Sequence, residues 1–137
     1  MTDYSNTRQI PLGTEAELIV WCARTGITEE LMARIRQKLQ ESLDWANLLQ
    51  MAEYHGVEPL LYASLSKIAH DLVPVEVLVR LRQKVQVRGL LNRSLAQELI
   101  KLCDEFALRG VSMIPIKGAT LAAVAYGDLR LRDFTDL

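Results

Sequence analysis

The sequence is poor in the residues that build disulfide frameworks and metal centres. Its only cysteines are Cys22 and Cys103, which lie far apart and outside any C-x-x-C or Cys/His cluster. A zinc site needs about four converging ligands and a disulfide framework needs many paired cysteines, so the sequence predicts neither. We interpret both cysteines as reduced and buried. The two histidines, His55 and His70, have no partner at ligand or triad spacing and are interpreted as structural.

Long hydrophobic runs and an excess of one charge are missing as well. The longest apolar stretches, such as 18–23, are far too short to span a bilayer, and residues 1–12 lack the pattern of a signal peptide. We therefore expect a cytoplasmic protein without a membrane partner. The net charge is −1, so any attraction for phosphate has to come from local clustering of basic residues.

Hydrophobic residues at helical spacing dominate the first 110 residues. The polar start predicts a flexible N-terminus over 1–13, and the periodic stretch predicts a helical domain over 14–110. Thr14 and Glu17 have the spacing of a capping box at the first helix. The domain ends in one long helix predicted over 74–109, since its apolar residues fall three or four apart. Further start and stop signals are Thr28, Asp44, His55-Gly56 and Pro59.

The pattern changes after Gly110, where a short run of apolar residues predicts a strand over 111–116. Pro115 cannot donate to a sheet, so this strand belongs at an edge or ends there. A turn and a helix over 120–126 follow, and Phe134 begins what resembles a second strand. We therefore predict an α+β fold class that is predominantly helical in this chain, with an N-terminal helical bundle followed by the first strand, turn and helix of a second core.

The second core, residues 111–137, is expected to be incomplete. One finished strand cannot satisfy the edges of a sheet, so the sequence predicts a fold that is truncated at its C-terminal side. With Ile114 and Phe134 exposed on an unfinished sheet, the chain would be prone to pair with another chain or to aggregate, which leaves the oligomeric state open.

The turn Lys117-Gly118-Ala119 is the first candidate binding site. Glycine lets the backbone approach a ligand closely, and the amides at a helix N-terminus together with the helix dipole favour a phosphate. Lys117 adds a mobile positive charge beside them. The same residue types also serve as plain turn residues, and the spaced glycines of a Walker motif are absent.

Asp136 is the candidate metal ligand. Phosphoryl transfer needs divalent cations, which are usually held by carboxylates two residues apart on a strand, so that both face the same side. Asp136 followed by Leu137 fits the first half of such a pair. Without further context, Asp133 and Asp136 are explained equally well as solvated acids in a loop.

Several motifs together resemble one protein family. They are Ile114-Pro115-Ile116-Lys117-Gly118-Ala119, Ala125-Tyr126-Gly127-Asp128, and Arg132 with Thr135-Asp136-Leu137. With Asp44-Trp45 and the run from His55 to Tyr62, the sequence resembles the bacterial uncharacterised nucleotidyltransferases, a family with the polymerase-β-like fold. The resemblance extends over about Leu18 to Leu137.

The resemblance implies transfer of a nucleotidyl group from ATP or another nucleoside triphosphate to an acceptor that the sequence does not identify. By position in the family's motif, Gly118 and Ala119 would receive the triphosphate on their amides, with Lys117 close by. Arg132 would steady phosphate or the loop, and Thr135 belongs to the same nucleotide-binding stretch. Ala119 stands where the wider superfamily has a second Gly or Ser in the turn.

The resemblance also implies that the transfer depends on Mg²⁺. Asp136 would be the catalytic carboxylate and the first metal ligand. The second carboxylate of the pair would follow Leu137 directly, and a single carboxylate cannot hold two metal ions. We therefore expect magnesium only in the complete protein and no transferase activity from this chain alone.

The sequence leaves two other functions open. Arg80, Lys84 and Arg88 are four residues apart on one stripe of the long helix, which is the pattern of a phosphate or nucleic-acid track. This stretch lacks interleaved aromatic residues for stacking on bases, so a solvated helix face is favoured over nucleic-acid binding. The other alternative is a non-catalytic helical interaction module that shares the family's front half without its chemistry.

Overall fold

Helices make up every regular element over residues 12–135, the part of the chain that the computed structural model describes. The α-helices are α1 (Thr14–Cys22), α2 (Glu29–Lys38), α3 (Trp45–Tyr54), α4 (Glu58–Ile68), α5 (Val75–Leu108) and α6 (Gly118–Leu121). A π-helical turn over Ala122–Tyr126 continues α6. The predominantly helical fold class is therefore confirmed. The flexible N-terminus predicted over 1–13 lies almost entirely outside the described residues.

Local sequence signals fix several of the helix ends. The Thr28 hydroxyl accepts a hydrogen bond from the Leu31 amide at 3.3 Å, and the Asp44 carboxylate accepts one from the Asn47 amide at 3.0 Å. α3 is closed by Gly56, whose φ of +65° suits glycine best. Pro59 occupies the first turn of α4, where its missing N–H leaves no helical hydrogen bond unmade.

The capping box predicted at the start of α1 is wrong. Gly13 is the N-cap and has no side-chain hydrogen bond, and Thr14 is already helical. Glu17 lies 2.9 Å from the ammonium group of Lys38 on α2, so it does not serve the local cap. An ion pair between helices has replaced the local interaction that the spacing suggested.

The first hydrophobic core lies between α1, α2, α3, α4 and the start of α5. Apolar side chains meet there at helical spacing and exclude water, which provides the main stabilisation of this bundle. Cys22 is part of this core, and burial raises the pKa of its thiol to about 12. Cys103, which was expected to be buried, is only half-buried. The most deeply buried members are Leu18, Cys22, Ile35, Leu48, Ala52, Leu61, Leu65, Ala69 and Leu81.

A second, smaller core lies further along α5. It joins Leu99 of α5 to Ala119 of α6, Ala122 of the π-helical turn, and Phe134. α5 therefore belongs to both cores, with Leu81 in the first and Leu99 in the second. The long helix, predicted over 74–109 and observed over Val75–Leu108, positions the C-terminal segment relative to the helical bundle.

The strand predicted over 111–116 is not formed in the described structure. This stretch has no regular secondary structure, because a strand requires a neighbouring strand and residues 12–135 contain none. Ile114 is 84% exposed, as expected. Phe134 was expected to be exposed at an unfinished sheet, but it is only 6% exposed because it packs in the second core. The division into a helical domain over 14–110 and a separate core over 111–137 stays a prediction.

The helices of residues 12–135 lack the length and hydropathy of a membrane span. Even the 34-residue helix α5 carries too many charged side chains, and no described helix is long and apolar enough to cross a membrane.

Candidate functional site

The turn Lys117-Gly118-Ala119 begins α6. Lys117 is the N-cap in an extended conformation, and its carbonyl accepts hydrogen bonds from the amides of Thr120 at 3.1 Å and Leu121 at 3.3 Å. Gly118 has a φ of +50°, a left-handed conformation that glycine adopts without strain. Gly118 and Ala119 are buried, whereas Lys117 is exposed. The turn therefore holds a fixed backbone beneath a lysine that is accessible to solvent.

The second core places this turn beside the segment that carries the other predicted site residues. Ala119 and Phe134 are members of the same buried cluster. The Arg132 guanidinium donates a long hydrogen bond of 3.5 Å from Nη1 to the carbonyl oxygen of Gly118. Arg132, which is 14 residues further along the chain, thus lies against the turn, and this contact brings two predicted phosphate-binding elements together.

Asn92 on α5 holds the segment from the other side. Its side chain is fully buried, and its Nδ2 donates hydrogen bonds to the carbonyl oxygens of Leu129 at 2.7 Å and Arg132 at 2.8 Å. The sequence analysis missed this residue. The available signal was a polar residue on an otherwise apolar stripe, three residues before Leu95 and seven before Leu99, because a buried amide at such a position requires hydrogen-bond partners.

Arg88 forms an ion pair with the same segment, one helical turn before Asn92. Its Nε lies 2.9 Å from Oδ1 of Asp133, and both side chains are partly exposed. That oxygen is buried, and within the described part of the chain it has no hydrogen-bond partner of good geometry, so the Arg88 N–H does not point at it. The interaction is therefore charge attraction without a directed hydrogen bond, and it accounts for Asp133, which the sequence left as a loop acid.

The basic stripe on α5 is largely paired within the protein. The ammonium group of Lys84 lies 2.9 Å from carboxylate oxygens of both Glu53 and Glu58. The hydrogen bond to Glu58 is the main cause of the raised pKa of Lys84. Since Arg88 is paired with Asp133, two of the three cations of the stripe already have acidic partners. These contacts favour the interpretation of the stripe as a structural helix face.

The structure shows no hydrogen bond between the turn and the remaining predicted site residues, Thr135 and Asp136, as far as they are described. Thr135 is exposed and follows the buried Phe134 directly. Asp136, the predicted catalytic and metal-binding carboxylate, lies outside the described residues. Within 12–135 there is no group of three or more His, Cys, Asp or Glu side chains that could hold a metal ion. The described structure thus brings together Lys117, Gly118, Ala119 and Arg132, but it leaves the metal ligands untested.

The deeper depressions of the described surface do not coincide with this turn. A groove of about 630 Å³ lies between α5 and the loop 127–130, next to Gly89 and Arg130. A smaller pocket of about 120 Å³ lies in the helical bundle beside Ser64. Neither is lined by residues 117–119. Neither depression therefore belongs to the turn, whose exposed member is Lys117 and whose Gly118 and Ala119 are buried.

Comparison with known proteins identifies the family. The sequence model of a family described as "Uncharacterised nucleotidyltransferase" matches residues 41–137. The match begins just before α3 and includes α5, the turn at 117–119 and the segment after it, whereas α1 and α2 lie outside. Neither a search of curated proteins nor a search of solved structures gave a match. Because the matched region is well over half of the sequence, the chain belongs to this family of uncharacterised nucleotidyltransferases.

Proposed function

We propose that the protein binds the triphosphate of a nucleoside triphosphate at the turn Lys117-Gly118-Ala119. The reaction of the complete active site is transfer of the nucleotidyl group to an acceptor, with pyrophosphate as the leaving group. Family membership supports the reaction class. The observation that carries the location of the site is the contact between the Arg132 guanidinium and the Gly118 carbonyl, which places a second cation against the turn.

The proposed roles follow from the chemistry of each group. The backbone at Gly118 and Ala119 lies at the start of a helical segment, where amides and the helix dipole attract anions. Lys117 is exposed and can move to meet a phosphate oxygen. Arg132 offers a planar, permanently charged guanidinium, which suits bidentate binding of phosphate. Thr135 is exposed and follows Arg132 by three residues in the chain, so its hydroxyl is the further candidate for a phosphate contact.

Magnesium enters the proposal together with the nucleotide. Mg²⁺ usually keeps several waters and is held by one or two carboxylates and the phosphates of the substrate. Asp136 is our candidate for such a carboxylate, and the residues over 12–135 do not form a metal cluster of their own. We therefore propose that the protein binds the nucleotide together with Mg²⁺. We also propose that 111–116 becomes the edge strand of the family's core once a neighbouring strand is present.

The proposal is tested by calorimetric titration of ATP with Mg²⁺ into the wild-type chain and the Lys117→Ala variant. Losing one charged contact to phosphate should weaken binding by about 10- to 100-fold, since such a contact contributes about 1.5–3 kcal/mol. Lys101→Ala is the matched control, because Lys101 is an exposed lysine on α5 whose ion-pair partner among the described residues is Glu98 of the same helix. No binding by the wild type, or equal affinity in both variants, would contradict the proposal.

A non-catalytic interaction module is the second candidate function. It is favoured by exposed apolar side chains at the end of α5 and in the stretch before α6, among them Leu108 at 88% and Ile114 at 84% exposure. Large apolar side chains left exposed to solvent can belong to a binding face. The absence of Mg–ATP binding in the titration, together with retained folding, would favour this function over nucleotide transfer.

Nucleic-acid binding is not favoured. The pairing of Lys84 and Arg88 with acids on other elements leaves little free charge on the stripe. If the stripe did bind DNA or RNA, the affinity would fall steeply with salt. Binding to single-stranded and duplex oligonucleotides, measured at low and high salt, tests this, because binding that is absent or independent of salt would exclude the stripe as a nucleic-acid site.

A further inference from the structure

Asn92 occupies a position where an apolar residue would be expected. It lies on α5 between the two hydrophobic cores and is completely shielded from solvent. A buried amide destabilises a protein unless its polar atoms are hydrogen-bonded. Asn92 meets this requirement for its NH₂ group, through hydrogen bonds to the segment 129–132, which is far away in sequence.

The hydrogen bonds of Asn92 involve the NH₂ group of its side-chain amide and not the oxygen. Both of its contacts are donated from Nδ2, to the carbonyl oxygens of Leu129 and Arg132. Its Oδ1 is buried and accepts no hydrogen bond from residues 12–135. The position therefore requires a donor rather than a polar residue in general. Aspartate has nearly the same shape but, when ionised, offers acceptors only.

The two accepting carbonyl oxygens belong to the first and last residues of the segment 129–132, which ends at Arg132. A tether at both ends of 129–132 restricts the backbone from which the guanidinium extends toward Gly118. The segment 129–132 also packs closely against α5 at Gly89. A Cβ added at Gly89 would lie 3.1 Å from Cγ of Arg130, so glycine at this position lets the segment approach the helix.

We propose that Asn92 is a positioning residue for phosphate binding by Arg132. It holds the carbonyl oxygens of Leu129 and Arg132 so that the guanidinium lies against the turn before the nucleotide arrives. This preorganisation increases affinity because the loop need not be ordered on binding. The proposal rests on the nucleotide-binding function proposed above, but the ordering of the loop by Asn92 is measurable without any nucleotide.

The experiment compares the wild type with Asn92→Leu, Asn92→Asp and Asn92→Ser. Hydrogen exchange of the amides over 129–135 reports the order of the loop, and calorimetric titration of Mg–ATP reports affinity. We expect at least tenfold faster exchange and at least tenfold weaker binding in Asn92→Leu, which lacks the donor, and the same in Asn92→Asp at a pH where the carboxyl is ionised. Asn92→Ser keeps one donor and should fall between these variants and the wild type. If Asn92→Leu fails to fold, the exchange and affinity of Asn92→Ser relative to the wild type still test the positioning role of Asn92.

Ser64→Ala is the control for a purely structural effect. The buried Ser64 hydroxyl also donates to a distant carbonyl, that of Cys22 at 3.0 Å, but it does so inside the helical bundle. This variant should lower the melting temperature and leave both the exchange of 129–135 and the affinity for Mg–ATP unchanged.

The two readouts separate failure of this inference from failure of the proposed function. Wild-type exchange and affinity in all three Asn92 variants would overturn the positioning role. Faster exchange of 129–135 without any change of a measurable affinity would also overturn it, because Asn92 would then order a loop that does not serve phosphate. If the wild type binds no Mg–ATP, the proposed function fails, and the role of Asn92 in phosphate binding fails with it. If the exchange of 129–135 is the same in the Asn92 variants as in the wild type, Asn92 does not order the loop.

Discussion

Arg36 and Asp71 illustrate how a single pair of side chains links two elements. The guanidinium donates to both carboxylate oxygens of Asp71, at 2.8 and 2.7 Å, and to the carbonyl oxygen of Ile68 at 2.9 Å. α2 is thereby joined to the chain that follows α4. The hydrogen bond from Arg36 is the main reason that the pKa of Asp71 falls to about 2.

This pair predicts a defined pH dependence. Because the pKa of Asp71 is lower in the folded state than in the unfolded state, the pair stabilises the fold above about pH 4. That stabilisation is lost as the pH falls toward 2, where the folded carboxyl becomes protonated. Urea unfolding of the wild type and Asp71→Asn should show a small difference in unfolding free energy at pH 7 that disappears near pH 2. A difference independent of pH would contradict this assignment.

Leu48 tests the first core at the same scale. Its side chain is fully buried in the bundle, so Leu48→Ala should lower the free energy of unfolding by about 2–5 kcal/mol through lost burial and a residual cavity. Leu90→Ala is the matched control, because Leu90 is 70% exposed and its truncation should change stability by less than about 0.5 kcal/mol. Equal effects in urea unfolding would show that α3 is not packed as described.

At the scale of elements, Gly89 lowers the helix propensity of α5 but lets Arg130 pack closely against the helix. Glycine inside a helix costs about 1 kcal/mol relative to alanine. In Gly89→Ala, however, the new Cβ would meet Cγ of Arg130 at 3.1 Å. Arg130 cannot move away freely, because its guanidinium is held by Asp128 at 2.8 Å.

A double-mutant cycle separates these two effects. Gly89→Ala in the wild type should gain little or no stability, whereas the same change in an Arg130→Ala background should gain about 1 kcal/mol. Urea unfolding of the four proteins gives the difference. An equal gain in both backgrounds would mean that the loop does not pack against Gly89.

The elements that the sequence predicted well are those with local causes. Thr28, Asp44 and Pro59 act within one helical turn, so their positions fix helix starts without help from the rest of the fold. The capping box at Thr14 failed because Glu17 pairs with Lys38 on another helix. The strand over 111–116 failed for the same kind of reason, since strand formation depends on a partner elsewhere.

At the scale of the whole molecule, the candidate site depends on the second core. The motif at 117–119 was visible in the sequence, and so was Arg132, because both are short patterns. Their proximity was not visible, since it arises from the packing of Ala119 against Phe134 and from the tether of Asn92. Contacts between residues this far apart in sequence leave little trace in a single sequence beyond an unexpected polar residue on an apolar stripe.

The central claim is that Lys117 and Arg132 bind the same triphosphate. A double-mutant cycle tests it directly, with calorimetric titration of Mg–ATP into the wild type, Lys117→Ala, Arg132→Ala and the double variant. Residues that share one ligand are coupled, so the loss of binding free energy in the double variant should differ from the sum of the single losses by about 0.5–3 kcal/mol. Additive losses, or an affinity that neither substitution changes, would contradict a shared site at this turn.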